Sequence, residues 1–155
     1  MALEIERKFL INQLKWGELQ KPIGKLYRQG YLLNTKGKTI RIRTTNVDAF
    51  LTIKGQTNGM SRSEFEYEIP LNEATELLDS FSEGELSKTR YEISYKGKLW
   101  EVDVFHGDND GLVVAEIELD NENESFELPD WIDQEVTDDP KYYNANLILL
   151  PFKRW

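Results

Sequence analysis

Cysteine is absent from the 155-residue sequence, which excludes disulfides and thiolate metal sites and is compatible with the cytoplasmic location that we expect. Long apolar runs are absent too: no stretch approaches the roughly 18 residues of a membrane span. The charges within residues 1–11 argue against a signal peptide. The net charge of −9 lacks the basic excess that general nucleic-acid binding requires. We therefore expect no membrane partner and no nucleic-acid partner.

The length favours one domain, residues 1–155, with a hydrophobic core of its own. No repeat, low-complexity segment or linker divides the chain. Short segments in which apolar and polar residues alternate, separated by turns, dominate the sequence, so the expected fold class is α+β, mainly β. The predicted strands cover residues 3–10, 26–33, 39–45, 49–54, 61–69, 87–95, 99–106 and 112–120, with one more short strand at 131–136. Helices are predicted at 72–81 and 141–149, and a short one near 14–19.

The first strand shows the pattern that organises the chain. Successive side chains of a strand point to opposite faces. Glu4, Glu6 and Lys8 therefore share one face, while Ile5 and Phe9 lie on the other. Two carboxylates and an ammonium in a row must be solvated, paired or bound to a ligand.

The same alternation recurs in later strands, and the charges are sorted by strand. Acidic pairs occur at 4/6, 64/66 and 116/118, and basic pairs at 41/43 and 88/90. Like charges two residues apart on one strand lie about 7 Å from each other. Without partners, each such pair costs on the order of 2 kcal/mol at an effective dielectric constant near 20. The partners must therefore lie on neighbouring or facing strands.

Two interpretations account for this pattern. The first is an antiparallel sheet whose charged face is solvated and laced with cross-strand ion pairs. The second is a closed antiparallel barrel of about eight strands, with apolar faces outward against helices and charged faces lining a lumen. A lumen with acidic and basic walls would suit a polyanion bound together with divalent cations.

Several motifs, taken in order, resemble those of the CYTH family, also called triphosphate tunnel metalloenzymes. The first, residues 4–8, matches its E-x-E-x-K signature. The resemblance continues through nearly the whole chain, in the segments 28–32 (RQGYL), 41–43 (RIR), Lys54, 62–66 with 69–70 (RSEFE…IP), 88–90 (KTR), Asp103, 116–119 (EIEL), 135–137 (EVT) and 143–147 (YNANL).

This resemblance implies an eight-stranded antiparallel tunnel that binds a triphosphate with Mg²⁺ or Mn²⁺. Activities in the family include inorganic, thiamine, RNA and nucleoside triphosphatases and a class of adenylate cyclase. Carried over by position, the phosphate-binding residues are Lys8, Arg41, Arg43, Lys54, Lys88 and Arg90. The implied metal ligands are Glu4, Glu6, Glu64, Glu66, Asp103, Glu116 and Glu118. The residues that resemble the family's catalytic set are Glu4, Glu6, Lys8, Glu64 and Glu66.

Three functions are weighed on this basis. A metal-dependent hydrolase acting on tripolyphosphate or another small triphosphate is favoured, because the chain is short, like the simpler prokaryotic members that it resembles. The alternatives are a class IV-type adenylate cyclase that makes cyclic AMP from ATP and a non-catalytic polyphosphate-binding module. The only partner that we expect is the small-molecule triphosphate, with a homodimer as a further possibility. Tyr142, Tyr143 and Asn144 are expected to dock the last helix over one mouth of the tunnel. Two roles are open: simple docking, or docking that also gates access or positions water.

Overall fold

The computed structural model describes residues 3–155, which form nine strands and three α-helices. The strands are β1 (Leu3–Ile11), β2 (Lys25–Asn34), β3 (Lys38–Thr44), β4 (Ala49–Gly55), β5 (Ser61–Glu68), β6 (Glu85–Tyr95), β7 (Lys98–Phe105), β8 (Val113–Glu118) and β9 (Ile132–Glu135). The helices are α1 (Gln13–Glu18), α2 (Leu71–Phe81) and α3 (Asn144–Leu149), and short 3₁₀ turns cover Gly107–Asn109, Pro140–Tyr142 and Phe152–Arg154. No helix within residues 3–155 has the length and apolar character needed to cross a membrane.

Eight strands close into an antiparallel barrel in the order β1-β5-β4-β3-β2-β6-β7-β8, and β8 returns to β1. β1 closes the ring by dividing its pairing: residues Leu3 to Ile5 pair with β5, and Glu6 to Leu10 pair with β8. β9 adds to β1 outside the ring. The predicted closed eight-stranded barrel is therefore confirmed, and the open sheet is ruled out.

The apolar faces of the strands point outward, as the alternation predicts. Among residues 3–155, three clusters of buried apolar side chains lie between the outside of the barrel and the segments that cover it. One surrounds Trp100 and includes Phe9 and Trp131. In the second, Ile42 and Ala49 pack against Ala74 and Leu78 of α2, and in the third, Leu147 of α3 packs near Leu86 and Phe105. Because the apolar side chains pack on the outside of the barrel, the inward face of each strand can carry charged side chains.

Gly30 shows how closely α2 lies on the barrel. A Cβ atom at this position would stand 2.9 Å from Leu78 Cδ2 and 3.1 Å from the carbonyl oxygen of Gly84. A side chain at Gly30 would therefore require α2 or the backbone near Gly84 to move.

The last predicted helix differs from the structure. The sequence predicts one helix that runs through 141–149, with Asp139 as its cap and Pro140 in the first helical position. Asp139 does cap a turn, since its side chain accepts a hydrogen bond from the Lys141 N–H. The chain then leaves the helical conformation at Tyr143, which has φ −69° and ψ 135°, so a 3₁₀ turn and α3 replace the single helix. Helix α2 also begins one residue earlier than predicted, at Leu71.

Candidate active site

A cavity of about 210 Å³ lies inside the barrel and is lined mainly by charged side chains. Seven of the lining residues are acidic and seven are basic, so the lumen is balanced although the whole chain carries −9. The acidic ones are Glu4, Glu6, Glu64, Glu66, Glu101, Glu116 and Glu118, and the basic ones are Lys8, Arg41, Arg43, Lys54, Arg62, Lys88 and Arg90. Except for Asp103, every predicted site residue lines this cavity.

The two signs are separated around the ring. Most of the lining carboxylates come from β8, β1 and β5, which are neighbours in the barrel. Arg41 and Arg43 come from β3, and Lys88 and Arg90 from β6, on the other side of the ring. The fold therefore sets an acidic wall against a basic wall, as the barrel interpretation predicts.

Two lysines neutralise part of the acidic wall. Lys8 Nζ lies 2.5 Å from Glu116 Oε1 and 3.1 Å from Glu6 Oε1. Burial alone would lower the pKa of Lys8, but Glu116 and Glu6 outweigh it and hold the pKa above its ordinary value. Lys54 Nζ bonds to both oxygens of Glu4, at 2.9 and 3.1 Å. The Lys8 ammonium therefore stays charged among the carboxylates.

Glu118 is the carboxylate that lacks such a partner within residues 3–155. Its pKa is raised to about 7 by burial and by the nearby carboxylates of Glu4, Glu64 and Glu6. Negative charge at this end of the acidic wall is thus in excess of the cations available from the described residues. A bound cation would relieve the repulsion.

The basic wall shows the opposite imbalance. Burial, Arg41 and Arg90 lower the pKa of Arg43 to about 10. Arg41 donates to Thr52 at 3.2 Å, but its buried Nε–H has no hydrogen-bond partner within the described part of the chain. A buried donor without an acceptor is costly. An anion in the lumen would supply both the missing acceptor and the missing charge.

Asp103 lies behind the basic wall rather than in the cavity. It is 1% exposed, and its oxygens accept hydrogen bonds from Nε and Nη2 of Arg90 at 2.8 and 2.9 Å. Lys88 Nζ lies 2.8 Å from the same carboxylate. Glu101 also pairs with Arg90, so these two cations have two carboxylates as partners. Burial together with Arg90 nevertheless lowers the pKa of Lys88 to about 7 despite Asp103.

Several lining residues lie outside the predicted site. Arg62 stands opposite Glu4 in the β1–β5 pairing, with its Nε 3.6 Å from Glu4 Oε1, and Glu101 accepts from Arg90 Nη1 at 3.0 Å. Alternation along β7 already places Glu101 on the charged face, so that signal was available. Tyr31 and Asn144 also line the cavity and lie within matched motifs. Alternation also places Glu68 and Glu92 on the charged faces of their strands, but both are exposed and lie outside the cavity lining.

The residues fit a divalent cation by donor chemistry rather than by a preformed cage. Within residues 3–155 no three carboxylate or histidine side chains are already grouped as a metal site. Several carboxylates instead hold Lys8 and Lys54. Oxygen donors of this kind are nevertheless the ligands that Mg²⁺ and Mn²⁺ prefer, and the repulsion at Glu118 provides the driving force for binding a cation.

Comparison with known proteins agrees with this geometry. The CYTH domain family matches residues 2–144. The chain is 48% identical over 156 residues to an inorganic triphosphatase of Acetivibrio thermocellus, an alignment that covers 100% of this chain and 99% of that protein. It is 36% identical over 151 residues to an inorganic triphosphatase of Nitrosomonas europaea, covering 94% and 97% of the two chains. A crystal structure of an inorganic triphosphatase superposes with a TM-score of 0.67 at 32% identity, over 96% of each chain. The chain belongs to the CYTH domain family.

Proposed function

We propose that the protein hydrolyses inorganic triphosphate to pyrophosphate and orthophosphate in the lumen of its barrel, with a divalent cation. The observation that carries the proposal is the opposite displacement of charge on the two walls. Burial and neighbouring carboxylates raise the pKa of Glu118, whereas burial and neighbouring cations lower the pKa of Arg43 and of Lys88. A polyanion bound with a divalent cation would counter both shifts. The two relatives named inorganic triphosphatase support the same choice of substrate.

The phosphate oxygens would be held by the basic residues predicted from the sequence. Arg41, Arg43, Lys88 and Arg90 form the basic wall, while Lys8 and Lys54 reach the phosphates from the acidic side. Charge-assisted hydrogen bonds contribute about 1.5–3 kcal/mol each. Phosphoryl transfer depends mainly on such positioning and on stabilising the charge that spreads onto the leaving pyrophosphate.

The acidic wall would hold the cation and orient the attacking water. Glu4, Glu6, Glu64, Glu66, Glu116 and Glu118 are the carboxylates that face the lumen. We assign Asp103 to hold Lys88 and Arg90, because its oxygens already bond to those two residues. Mg²⁺ or Mn²⁺, when bound, neutralises phosphate oxygens and lowers the pKa of a coordinated water.

The size of the cavity favours inorganic triphosphate over a nucleotide. Pockets for drug-sized ligands usually have about 300–1,000 Å³. The 210 Å³ available here suits a short phosphate chain, and the lining offers charged groups rather than an apolar slot for a base. We therefore place the adenylate cyclase behind the hydrolase. The non-catalytic binding module is placed behind it because the two relatives are named inorganic triphosphatase.

A product assay tests the proposal. The protein is incubated with tripolyphosphate, ATP or thiamine triphosphate, each with Mg²⁺, with Mn²⁺ or with a chelator, and the products are identified by ³¹P NMR. We expect equal amounts of pyrophosphate and orthophosphate from tripolyphosphate, and a loss of turnover with the chelator. Cyclic AMP from ATP would identify a cyclase, and tight binding without turnover would identify a binding module. Either result would overturn the proposal.

A further inference from the structure

We propose that Asn144 is a positioning residue for Lys88, so that the first residue of α3 fixes an ammonium group of the phosphate-binding wall. Lys88 Nζ donates a hydrogen bond to Asn144 Oδ1 at 2.9 Å and lies 2.8 Å from Asp103 Oδ2. The lysine is 1% exposed, so water cannot replace these partners freely. The catalytic meaning of this contact rests on the function proposed above, but the contact itself does not.

The hydrogen-bonding capacity of lysine explains why this contact matters. An ammonium group has three N–H donors and no acceptor. Asp103 and Asn144 take two of the donors, and Lys88 lines the cavity with one remaining donor for an anion. Four rotatable bonds separate Nζ from the backbone, so two fixed acceptors reduce the number of conformations available to it.

The neighbours of Asn144 keep its side chain in place. Gln29, which is fully buried, has its Nε2 3.4 Å from Asn144 Oδ1 and 3.4 Å from the hydroxyl of Tyr31. The amide of Asn144 thus belongs to a small polar group that lines the cavity. Within the described residues the Oε1 atom of Gln29 has no hydrogen-bond partner, and the contact with Lys88 is the shortest that the Asn144 amide makes in this group.

The docking of α3 does not depend on the Asn144 amide. Leu147 is fully buried in the apolar cluster with Leu86 and Phe105. Asn34 Nδ2 donates to the carbonyl oxygen of Ala145 at 3.1 Å, which ties the same helix to β2. The helix therefore has anchors of its own, and the contact with Lys88 can be removed while those anchors remain.

This arrangement separates two roles for the C-terminal segment. If α3 only closes one end of the barrel, any change that loosens it should have the same effect. If Asn144 also positions Lys88, then Asn144→Leu should impair the site specifically. Asn34→Ala is the matched control, because it removes a polar anchor of the same helix without touching Lys88.

Two measurements decide between these roles. The first is the ¹⁵N-detected side-chain signal of the Lys88 ammonium at about pH 6, which a buried, hydrogen-bonded ammonium protects from exchange. The second is the separate determination of kcat and KM for tripolyphosphate. The variants are Asn144→Leu, Asn144→Asp, which keeps an acceptor oxygen, and Asn34→Ala. Asn144→Ala serves if the leucine variant does not fold.

We expect Asn144→Leu to lose or shift the Lys88 signal and to lower kcat by about 10- to 100-fold, as small misplacements of a binding group do. Asn144→Asp should keep the signal and mainly raise KM, because it adds negative charge beside an anion. Asn34→Ala should leave the Lys88 signal in place and should change kcat and KM by no more than about threefold.

An unchanged Lys88 signal in Asn144→Leu, or an equal loss of kcat in Asn34→Ala, would overturn the inference. If the wild-type protein releases no phosphate from tripolyphosphate, the proposed function fails. The ammonium signal still decides whether Asn144 holds Lys88.

Discussion

Glu118 and Arg43 line the same cavity from opposite sides of the barrel. Their strands, β8 and β3, lie four positions apart in the ring of eight strands. The pKa of Glu118 is raised to about 7 and that of Arg43 is lowered to about 10. Both shifts disfavour the charged form of the group, and in both cases burial and neighbours of like charge cause them. Like charges therefore repel one another on each wall of the lumen, and a polyanion bound with a cation would reduce the repulsion on both walls.

The repulsion at Glu118 should lower the stability of the folded protein, so a Glu118→Gln variant should be more stable than the wild type at high pH. The folded chain holds the Glu118 proton more tightly than the unfolded chain, whose glutamates have an ordinary pKa near 4.5. Ionisation of Glu118 therefore lowers stability progressively as the pH rises from about 4.5 through 7. Because the side chain is partly exposed, solvent screening limits the gain in Tm of the variant to about 2 °C at pH 8, and the gain should shrink towards pH 5. A gain that is the same at both pH values, measured by calorimetry, would contradict this assignment.

Asp103→Asn should destabilise the fold, because Lys88 and Arg90 would lose their shared counter-charge in a buried place. Removal of one partner of a buried ion pair typically costs about 3–5 kcal/mol. The matched control is Asp79→Asn, which breaks the exposed pair between Asp79 and Arg28 and should cost less than about 1 kcal/mol. Urea denaturation measures both values. Equal losses in the two variants would show that Asp103 has no special structural role.

Binding of tripolyphosphate in the presence of a chelator should be accompanied by proton uptake near pH 8. The anion stabilises the charged form of Lys88, so its pKa rises from about 7 and the site takes a proton from the buffer. Calorimetric titrations in buffers of different ionisation enthalpy give the number of protons. Lys88→Arg keeps the positive charge but does not titrate, so it should reduce the uptake. Undiminished uptake in that variant would assign the proton to another group.

Glu4→Gln and Glu116→Gln should each lower metal-dependent phosphate release at least about 100-fold while the far-UV spectrum stays close to that of the wild type. The Tm should fall, because each variant removes the counter-charge of a buried lysine, Lys54 or Lys8. Both carboxylates line the cavity, and removal of their charge weakens the binding of a cation. Glu68→Gln is the control, since Glu68 is exposed on the same strand as Glu66 but lies outside the lining. Near-normal phosphate release from either lumen variant would remove it from the proposed site.

The inward and outward faces of the barrel follow from local alternation, which is why the sequence predicts them well. Glu4, Glu6 and Lys8 alternate with Ile5 and Phe9, and the spacing alone divides them between lumen and outer core. Local alternation does not determine whether the sheet closes. Closure follows from the pairing of β1 with both β5 and β8, which depends on contacts between distant segments.

The environment of Asp103 could not be predicted in this way. Alternation assigns it to the charged face, but its place depends on register, because Arg90 is its direct partner across β6 and β7. The break at Tyr143 is similar. A helical pattern runs through 141–149, but the extended backbone at Tyr143 divides it into a 3₁₀ turn and α3, and Leu147 of α3 then packs in the cluster with Leu86 and Phe105.

The most direct test of the two-walled lumen is a crystal structure with tripolyphosphate and Mn²⁺, with the manganese located by its anomalous scattering. We predict phosphate oxygens within hydrogen-bond distance of Arg41, Arg43 and Lys88, and manganese on the side of Glu118 and Glu4. Manganese and phosphate outside the barrel, or phosphate against the acidic wall without a cation between them, would contradict the account.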